Sequence, residues 1–153
     1  MPVKLGAYTL IKALGEGSFA VVWLARDEKS GQEAVLKRFK AHVEAEEIRA
    51  ELENCQRIKW TLPVEKHLVE YRGHVPDPEC KAAGVALVFE HCNAGSLDKF
   101  LETRILAGKM LTAPEALSCA RQLTNGVLLM HSAQLFHRDL APMFSGALHV
   151  SCF

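Results

Sequence analysis

The sequence has no excess of charge of either sign, few aromatic residues and no long hydrophobic run. Eighteen Lys and Arg residues balance eighteen Asp and Glu residues, so the net charge does not favour nucleic acid or an anionic membrane as a partner. No apolar run approaches the roughly 18 residues of a membrane-spanning helix, and the first residues lack the apolar core of a signal peptide. We therefore expect an intracellular, cytoplasmic protein.

Cysteine is present but not in a pattern that carries a disulfide framework or a zinc site. The five cysteines are odd in number, and none is arranged as Cys-x-x-Cys. Of the 153 residues, 49% are hydrophobic and 24% are charged. Because this composition suffices for a core and the length is that of one ordinary domain, we expect a folded, single-domain chain.

The first part of the chain is predicted to alternate between strands and turns. Strands are predicted at 9–14, at 21–26, a run of β-branched and aromatic residues, and at 33–39, after turn residues at 27–31. Three strands at this spacing predict an antiparallel meander. Two further strands are predicted at 67–71 and 85–89, with a proline-containing loop at 74–79 between them.

Helical periodicity is found from 43 to 59 and again in the second half of the chain. The first helix is expected to bury the side that carries Ile48, Leu52, Cys55 and Ile58. Ser96 is a candidate N-cap for a short helix, and Thr112 with Glu115 has the spacing of a capping box. The expected buried stripe of the long helix that follows is Ala116, Ala120, Leu123, Val127 and His131.

A Gly-x-Gly pair, Gly15 and Gly17, lies between two predicted strands and is followed by Ala20 and Val22. Such a pair is common in ordinary turns. A dinucleotide-binding fold needs a helix after the motif, and the strand that follows here excludes that interpretation. A strand–loop–strand flap allows backbone N–H groups to approach a triphosphate closely, where side chains would block the approach.

Lys37 lies in the third predicted strand, on the same face as Val35 and Phe39. One interpretation is an edge-strand lysine that reaches solvent. The other is a fixed cation for phosphate oxygens, with Val35 covering an adenine ring. A buried lysine needs a carboxylate partner, for which the predicted helix offers Glu51 or Glu47.

Two more segments allow both a structural and a functional interpretation. The strand at 85–89 runs into a glycine-containing connector, which is either a simple link to a helix or a hinge whose backbone groups bind an adenine edge. Further on, His137-Arg138-Asp139-Leu140 contains a charged triplet of the kind usually found in solvated turns. The apolar residues on both sides of this triplet do not fit a solvated turn.

In this order, the motifs resemble the signature of eukaryotic protein kinases, over roughly residues 8–142. The resemblance implies an α+β, protein-kinase-like fold. A five-stranded antiparallel N-lobe sheet with one helix would occupy 1–90 and a hinge 91–95. An incomplete helical C-lobe would occupy 96–142, followed by a divergent tail at 143–153.

The resemblance also implies ATP as cofactor and a protein as substrate or partner. Lys37 would hold the α- and β-phosphates, oriented by Glu51, and Asp139 would accept or position the proton of the substrate hydroxyl. Phe89 would be the gatekeeper beside the adenine. The residues implied to bind the nucleotide are Gly15, Glu16, Gly17, Ser18, Phe19, Ala20, Val22, Val35, Lys37, Phe89, Glu90 and Cys92.

The sequence departs from the family after Asp139. The family places a magnesium-binding asparagine where this chain has Phe144, and no Asp-Phe-Gly follows. Mg²⁺ is thus expected of the family while its protein ligands are absent here, so we expect ATP binding without phosphoryl transfer. Pro142 favours serine and threonine hydroxyls over tyrosine, although Ala141 stands where those kinases usually have lysine. The alternative is a non-catalytic, pseudokinase-like interaction or decoy module, because the apolar stripe of the long helix would be uncovered.

Overall fold

The computed structural model describes residues 3–61, 67–93 and 96–136. The chain divides into two compact units. The first consists of Met1–Lys59 and Glu70–His91, and the second of Trp60–Val69 and Cys92–Phe153.

One six-stranded antiparallel sheet dominates the first unit. Its strands are β1 (Lys4–Leu5), β2 (Tyr8–Glu16), β3 (Ala20–Asp27), β4 (Glu33–Phe39), β5 (Tyr71–Pro76) and β6 (Val85–Glu90). Their order across the sheet is β1-β2-β3-β4-β6-β5, and every neighbouring pair is antiparallel. The predicted α+β class with an antiparallel sheet is confirmed, and the short edge strand β1 is added to the five strands expected.

The strand predicted at 67–71 is wrong. Residues 67–70 form a turn, an isolated bridge and irregular chain, and β5 begins only at Tyr71. Half of the segment predicted as a loop, 74–79, therefore belongs to a strand that pairs with β6 from Tyr71↔Phe89 to Pro76↔Val85. Pro76 is tolerated because β5 lies at the sheet edge and the proline is its last residue.

Helix α1 (Ala45–Thr61) packs on one face of this sheet. Ile48 is fully buried, and Leu52, Cys55 and Ile58 are half-buried, which confirms the predicted helix face. The core between helix and sheet contains Ala20, Phe39, Val43, Ile48, Tyr71, Cys80 and Leu87. Burial of each large aliphatic side chain in such a core contributes roughly 1.5–3 kcal/mol.

A second core lies on the opposite face of the sheet, as the alternation of side chains along the strands requires. Its buried members are Leu5, Leu10, Ala25, Ala34, Leu36, Ala86 and Val88. Leu5 accounts for the additional strand, because it is 3% exposed and its burial holds β1 against β2. Gly6 adopts φ +57° in the tight turn between these two strands, a conformation that favours glycine.

The second unit contains helices α2 (Leu97–Leu106) and α3 (Ala113–Ser132). Ser96 is the N-cap residue of α2, although its side chain makes no capping hydrogen bond. The predicted capping box is confirmed: the side chain of Thr112 accepts from the amide of Glu115, and the Glu115 carboxylate accepts from the amide of Thr112. Within the described segments, no helix combines the length and apolar character needed to cross a membrane.

The stripe predicted for α3 is partly wrong. Ala116, Ala120 and His131 are exposed and Leu123 and Val127 half-buried. The fully buried residues of the helix are Cys119, Gly126 and Met130. The buried face of α3 is therefore rotated relative to the predicted one. It contains Cys119, Gly126 and Met130, which the predicted stripe did not include, and it excludes Ala116 and Ala120.

Candidate functional site

The strand register places four of the predicted site residues on one face of the sheet. Val22 lies directly opposite Lys37, and Val35 lies directly opposite Phe89. Directly opposed residues share a face, as do Val35 and Lys37, which are two positions apart in β4. Lys37 is also opposite the buried Leu87, so this is the face that α1 covers.

The cation on this face is joined to helix α1 by an ion pair. Lys37 Nζ donates a hydrogen bond to Glu51 Oε1, and the two side chains are 28% and 34% exposed. Glu47, the other candidate, is exposed. Lys37 Nζ also lies 5.5 Å from the centre of the Phe39 ring, within range of a cation–π contact. A partly exposed pair contributes about 1 kcal/mol or less to stability, so its main effect is to direct the ammonium group.

Two titratable groups nearby are held in their neutral forms. Burial, reinforced by the charge of Glu51 and opposed by that of Lys37, raises the pKa of the Cys55 thiol to about 12. Burial and the neighbouring Cys55 raise the pKa of Tyr71 to about 12. Cys55 is thus close enough to the Lys37–Glu51 pair for both of these charges to act on its thiol.

The glycine-rich loop connects β2 to β3. Strand β2 ends at Glu16, β3 begins at Ala20, and the amide of Gly17 donates to the carbonyl of Ala20 at 2.9 Å. A Cβ placed on Gly15 would meet nothing within 4 Å, and one on Gly17 only the Ala20 carbonyl oxygen at 3.9 Å. Neither glycine has a positive φ. Their physical role here is therefore the open space that they leave beside the backbone.

The end of β6, where the sequence predicts a hinge, is tied to its surroundings by charged side chains. The amide of Glu90 donates to the carbonyl of Glu70 at 3.0 Å, and Glu90 Oε1 accepts from the amide of Glu70 at 2.8 Å. His91 Nδ1 lies 2.7 Å from Glu33 Oε2 at the start of β4. The amide of Glu90 is thus engaged by the residue that precedes β5, and Cys92, the last predicted nucleotide contact, lies half-buried in the second unit.

The remaining predicted residues divide between the loop and the undescribed segments. Ser18 and Phe19 are exposed within the glycine-rich loop, and Ala20 is buried at the start of β3. Asp139 and Phe144 lie outside the described residues. Lys40, which follows β4 and contacts the same loop, was not among the predicted site residues; the available signal was a second lysine three positions after Lys37.

The residues present fit the phosphates of a nucleotide better than they fit a metal ion. Open space beside two glycine backbones and an oriented ammonium group are suited to phosphate oxygens. In the described parts of the chain, no three His, Cys, Asp or Glu residues are grouped so that they could hold a metal ion.

Comparison with known proteins agrees with this arrangement. The family model described as "Protein kinase domain" matches residues 8–143. CBL-interacting protein kinase 9 of Oryza sativa subsp. japonica is 32% identical over 98% of this chain. Calcium-dependent protein kinase 9 of Arabidopsis thaliana is 31% identical over 88% of this chain, and the probable serine/threonine-protein kinase zyg-1 of Caenorhabditis elegans is 30% identical over 90%.

A sheet with one packed helix and an ordered lysine–glutamate pair is the arrangement that the kinase resemblance implies. Because the family match extends over most of its length, the chain belongs to the protein kinase family. Its relatives include serine/threonine kinases. The chain spans 32%, 24% and 18% of the lengths of the three kinases named above.

Proposed function

We propose that this chain binds ATP through its first unit and represents the nucleotide-binding part of a serine/threonine protein kinase. The observation that carries the proposal is the Lys37–Glu51 ion pair on the sheet face that also bears Val22, Val35 and Phe89. A lysine that merely reached solvent would have no need of a carboxylate from a different element. The pair instead holds the ammonium at one position over the sheet.

Each residue has a role that follows from its position. Lys37 Nζ binds oxygens of the α- and β-phosphates, and Glu51 keeps it directed toward them. Val22 and Val35 present apolar surface to the adenine ring, and Phe89 limits the space beside that ring. ATP, when bound, supplies the phosphoryl group for transfer. The open space beside Gly15 and Gly17 lets backbone N–H groups approach the phosphates.

We do not expect these 153 residues alone to transfer the phosphoryl group. Asp139 is proposed to accept or position the proton of a serine or threonine hydroxyl. However, Phe144 stands where the family has the asparagine that binds magnesium, and a phenyl ring cannot ligate a metal ion. Without that ligand, charge on the transferring group lacks one of its principal sources of stabilisation.

The proposal is tested by titrating the purified chain with ATP in a calorimeter. Replacing Lys37 with Met should weaken ATP binding by roughly tenfold or more, since a charge-assisted contact contributes about 1.5–3 kcal/mol. Lys4→Met is the matched control, because Lys4 forms an exposed ion pair with Glu28 at the far edge of the sheet. It should change the affinity by less than about twofold. Equal ATP affinity in wild type and Lys37→Met would contradict the proposal.

A kinase assay with ATP, Mg²⁺ and a generic protein substrate tests the expected lack of transfer. We expect no turnover above background. Turnover that disappears in Lys37→Met would show that the chain is catalytically competent.

A non-catalytic interaction module is the second candidate function, and the exposed face of α3 supports it. Leu117 and Leu128 are 71% and 65% exposed and lie three turns apart on the same side of the helix. Light scattering should then show self-association or co-purifying protein that Leu117→Ser with Leu128→Ser removes. A monodisperse, folded monomer without a bound partner would count against this candidate.

A further inference from the structure

A second ion pair joins the glycine-rich loop to the residue that follows β4. Lys40 Nζ lies 2.5 Å from Glu16 Oε1, and the amide of Lys40 donates to the carbonyl of Phe19 at 2.9 Å. Glu16 and Phe19 are the residues on either side of the loop tip at 17–18. Lys40 therefore contacts both sides of the tip, one with its side chain and the other with its main chain.

This pair is independent of the Lys37–Glu51 pair. The ammonium of Lys37 is directed to α1, whereas Lys40 is directed to β2. The loop tip itself is held internally by the hydrogen bond from the Gly17 amide to the Ala20 carbonyl, and its side chains are exposed. The contacts of Lys40 thus come from outside the loop and restrain a segment that has few contacts of its own.

The Lys40–Glu16 pair also affects the charge that a bound phosphate would meet. Glu16 places a carboxylate beside backbone N–H groups that are proposed to receive phosphates. An unpaired carboxylate there would repel a polyphosphate, and the repulsion would be felt over several ångströms because the Debye length is about 8 Å at physiological ionic strength. Lys40, half-buried at the end of the sheet, neutralises this carboxylate.

We propose that Lys40 is a positioning residue for the nucleotide: its ion pair with Glu16 holds the glycine-rich loop in place and neutralises the carboxylate beside the phosphates. This inference rests on the proposed ATP-binding function. Lys40 acts through Glu16 and the loop backbone and does not itself contact the nucleotide. It follows that its loss affects the binding of phosphates and leaves the binding of the adenosine portion unchanged.

The first test needs no nucleotide. Hydrogen exchange measured by NMR on the free protein follows the amides at positions 17 and 40, which donate to Ala20 and Phe19. Lys40→Met should speed their exchange by roughly two- to fivefold, the range for an exposed ion pair. Lys40→Arg should restore protection, and Lys4→Met should leave both amides unchanged. Unchanged amide exchange in Lys40→Met would contradict the proposal that this ion pair holds the loop in place.

The second test compares ATP with adenosine by calorimetry. Lys40→Met should weaken ATP binding by roughly two- to fivefold and change adenosine binding by less than twofold. The charge-reversed pair, Glu16→Lys with Lys40→Glu, should recover at least the wild-type ATP affinity. Equal weakening of ATP and adenosine, or no recovery on charge reversal, would show that Lys40 has only a structural role.

The two tests separate this inference from the proposed function. If Lys37→Met abolishes ATP binding while Lys40→Met changes neither exchange nor affinity, the inference is wrong and the ATP site stands. If the wild-type chain binds no ATP, the proposed function fails and the nucleotide role of Lys40 fails with it. In that case, faster amide exchange in Lys40→Met would still show that the Lys40–Glu16 pair holds the glycine-rich loop in place.

Discussion

The contact between Arg38 and Asp77 offers the sharpest test of how the first unit is held together. Asp77 follows β5 and is 1% exposed, and Arg38 in β4 is 13% exposed. Arg38 Nε donates to Asp77 Oδ2 at 2.8 Å and Nη2 to Oδ1 at 2.9 Å. The amide of Glu79 also donates to Asp77 Oδ1 at 3.1 Å. One buried carboxylate thus satisfies a guanidinium from the centre of the sheet and an amide of the β5–β6 connection.

Replacing Asp77 with Asn keeps the shape of the side chain but removes its charge. An amide nitrogen then faces the donors of Arg38, and a largely buried guanidinium loses its main counter-charge. Breaking a buried pair from one side costs about 3–5 kcal/mol. Because Arg38 Nη2 still reaches Glu79 Oε2 at 2.8 Å, we expect the lower end, about 3 kcal/mol.

Urea unfolding at pH 7, followed by tryptophan fluorescence, to which Trp23 in β3 and Trp60 in α1 contribute, measures this change. Glu79→Gln is the matched control, since it removes a carboxylate from the same guanidinium at a side chain that is 76% exposed. That control should cost less than about 1 kcal/mol. If Asp77→Asn were no more destabilising than Glu79→Gln, burial would not be what makes this contact strong, and the reasoning would be refuted.

The same residue predicts a pH dependence. Burial raises the pKa of Asp77, but the hydrogen bonds from Arg38 and from the amides of Glu79 and Cys80 outweigh it and hold the pKa below its ordinary value of 3.8. A carboxyl with a depressed pKa in the folded state stabilises the fold above its unfolded pKa, and that stability is lost as the pH falls through the folded pKa. Below about pH 4 the wild type should therefore lose stability more steeply than Asp77→Asn. If the free energy of unfolding fell equally with pH in both proteins, this prediction would be contradicted.

Two further predictions concern helix α1. Ile48→Ala should destabilise the first unit by about 3 kcal/mol in urea unfolding, because Ile48 is 0% exposed and its truncation leaves a cavity against the sheet; Ile58→Ala, at a half-buried position, should cost clearly less, and equal costs would contradict the packing. Cys55 should react with iodoacetamide at pH 8 on the order of a thousandfold more slowly than a free cysteine, because its pKa is raised to about 12. Mass spectrometry of Glu51→Gln should show faster labelling, since the charge of Glu51 contributes to that shift; slower labelling would refute the assignment.

Local sequence patterns predicted the elements well where short-range periodicity decides them. The third predicted strand matches β4 at both ends, and the capping box of Thr112 and Glu115 forms as expected. The pattern failed at 67–71, where a segment that contains strand-forming residues does not enter the sheet until Tyr71. Strand propensity measures only how well a residue suits a half-buried sheet surface. Which residues actually form β5 is decided by their pairing with β6.

The candidate site was predictable as a set of residue types and only partly as a set of contacts. Spacing placed Val35 and Lys37 on one face of a strand and a glutamate on the following helix. It left Glu47 and Glu51 as alternatives, since the predicted helix is rich in glutamate. Their choice depends on how the helix is rotated against the sheet, and that rotation is set by the burial of Ile48.

The sequence by itself therefore determines the order of the motifs along the chain, the helix and strand periods and the family membership. Each of these depends on residues that are close together in the chain or on motifs shared with the family. Only the tertiary structure decided that Glu51 pairs with Lys37, that Lys40 contacts Glu16, and that Arg38 is neutralised by Asp77. These partners come from different elements. Their approach depends on sheet register and helix rotation, which arise from packing of the whole unit and leave no mark in any local pattern.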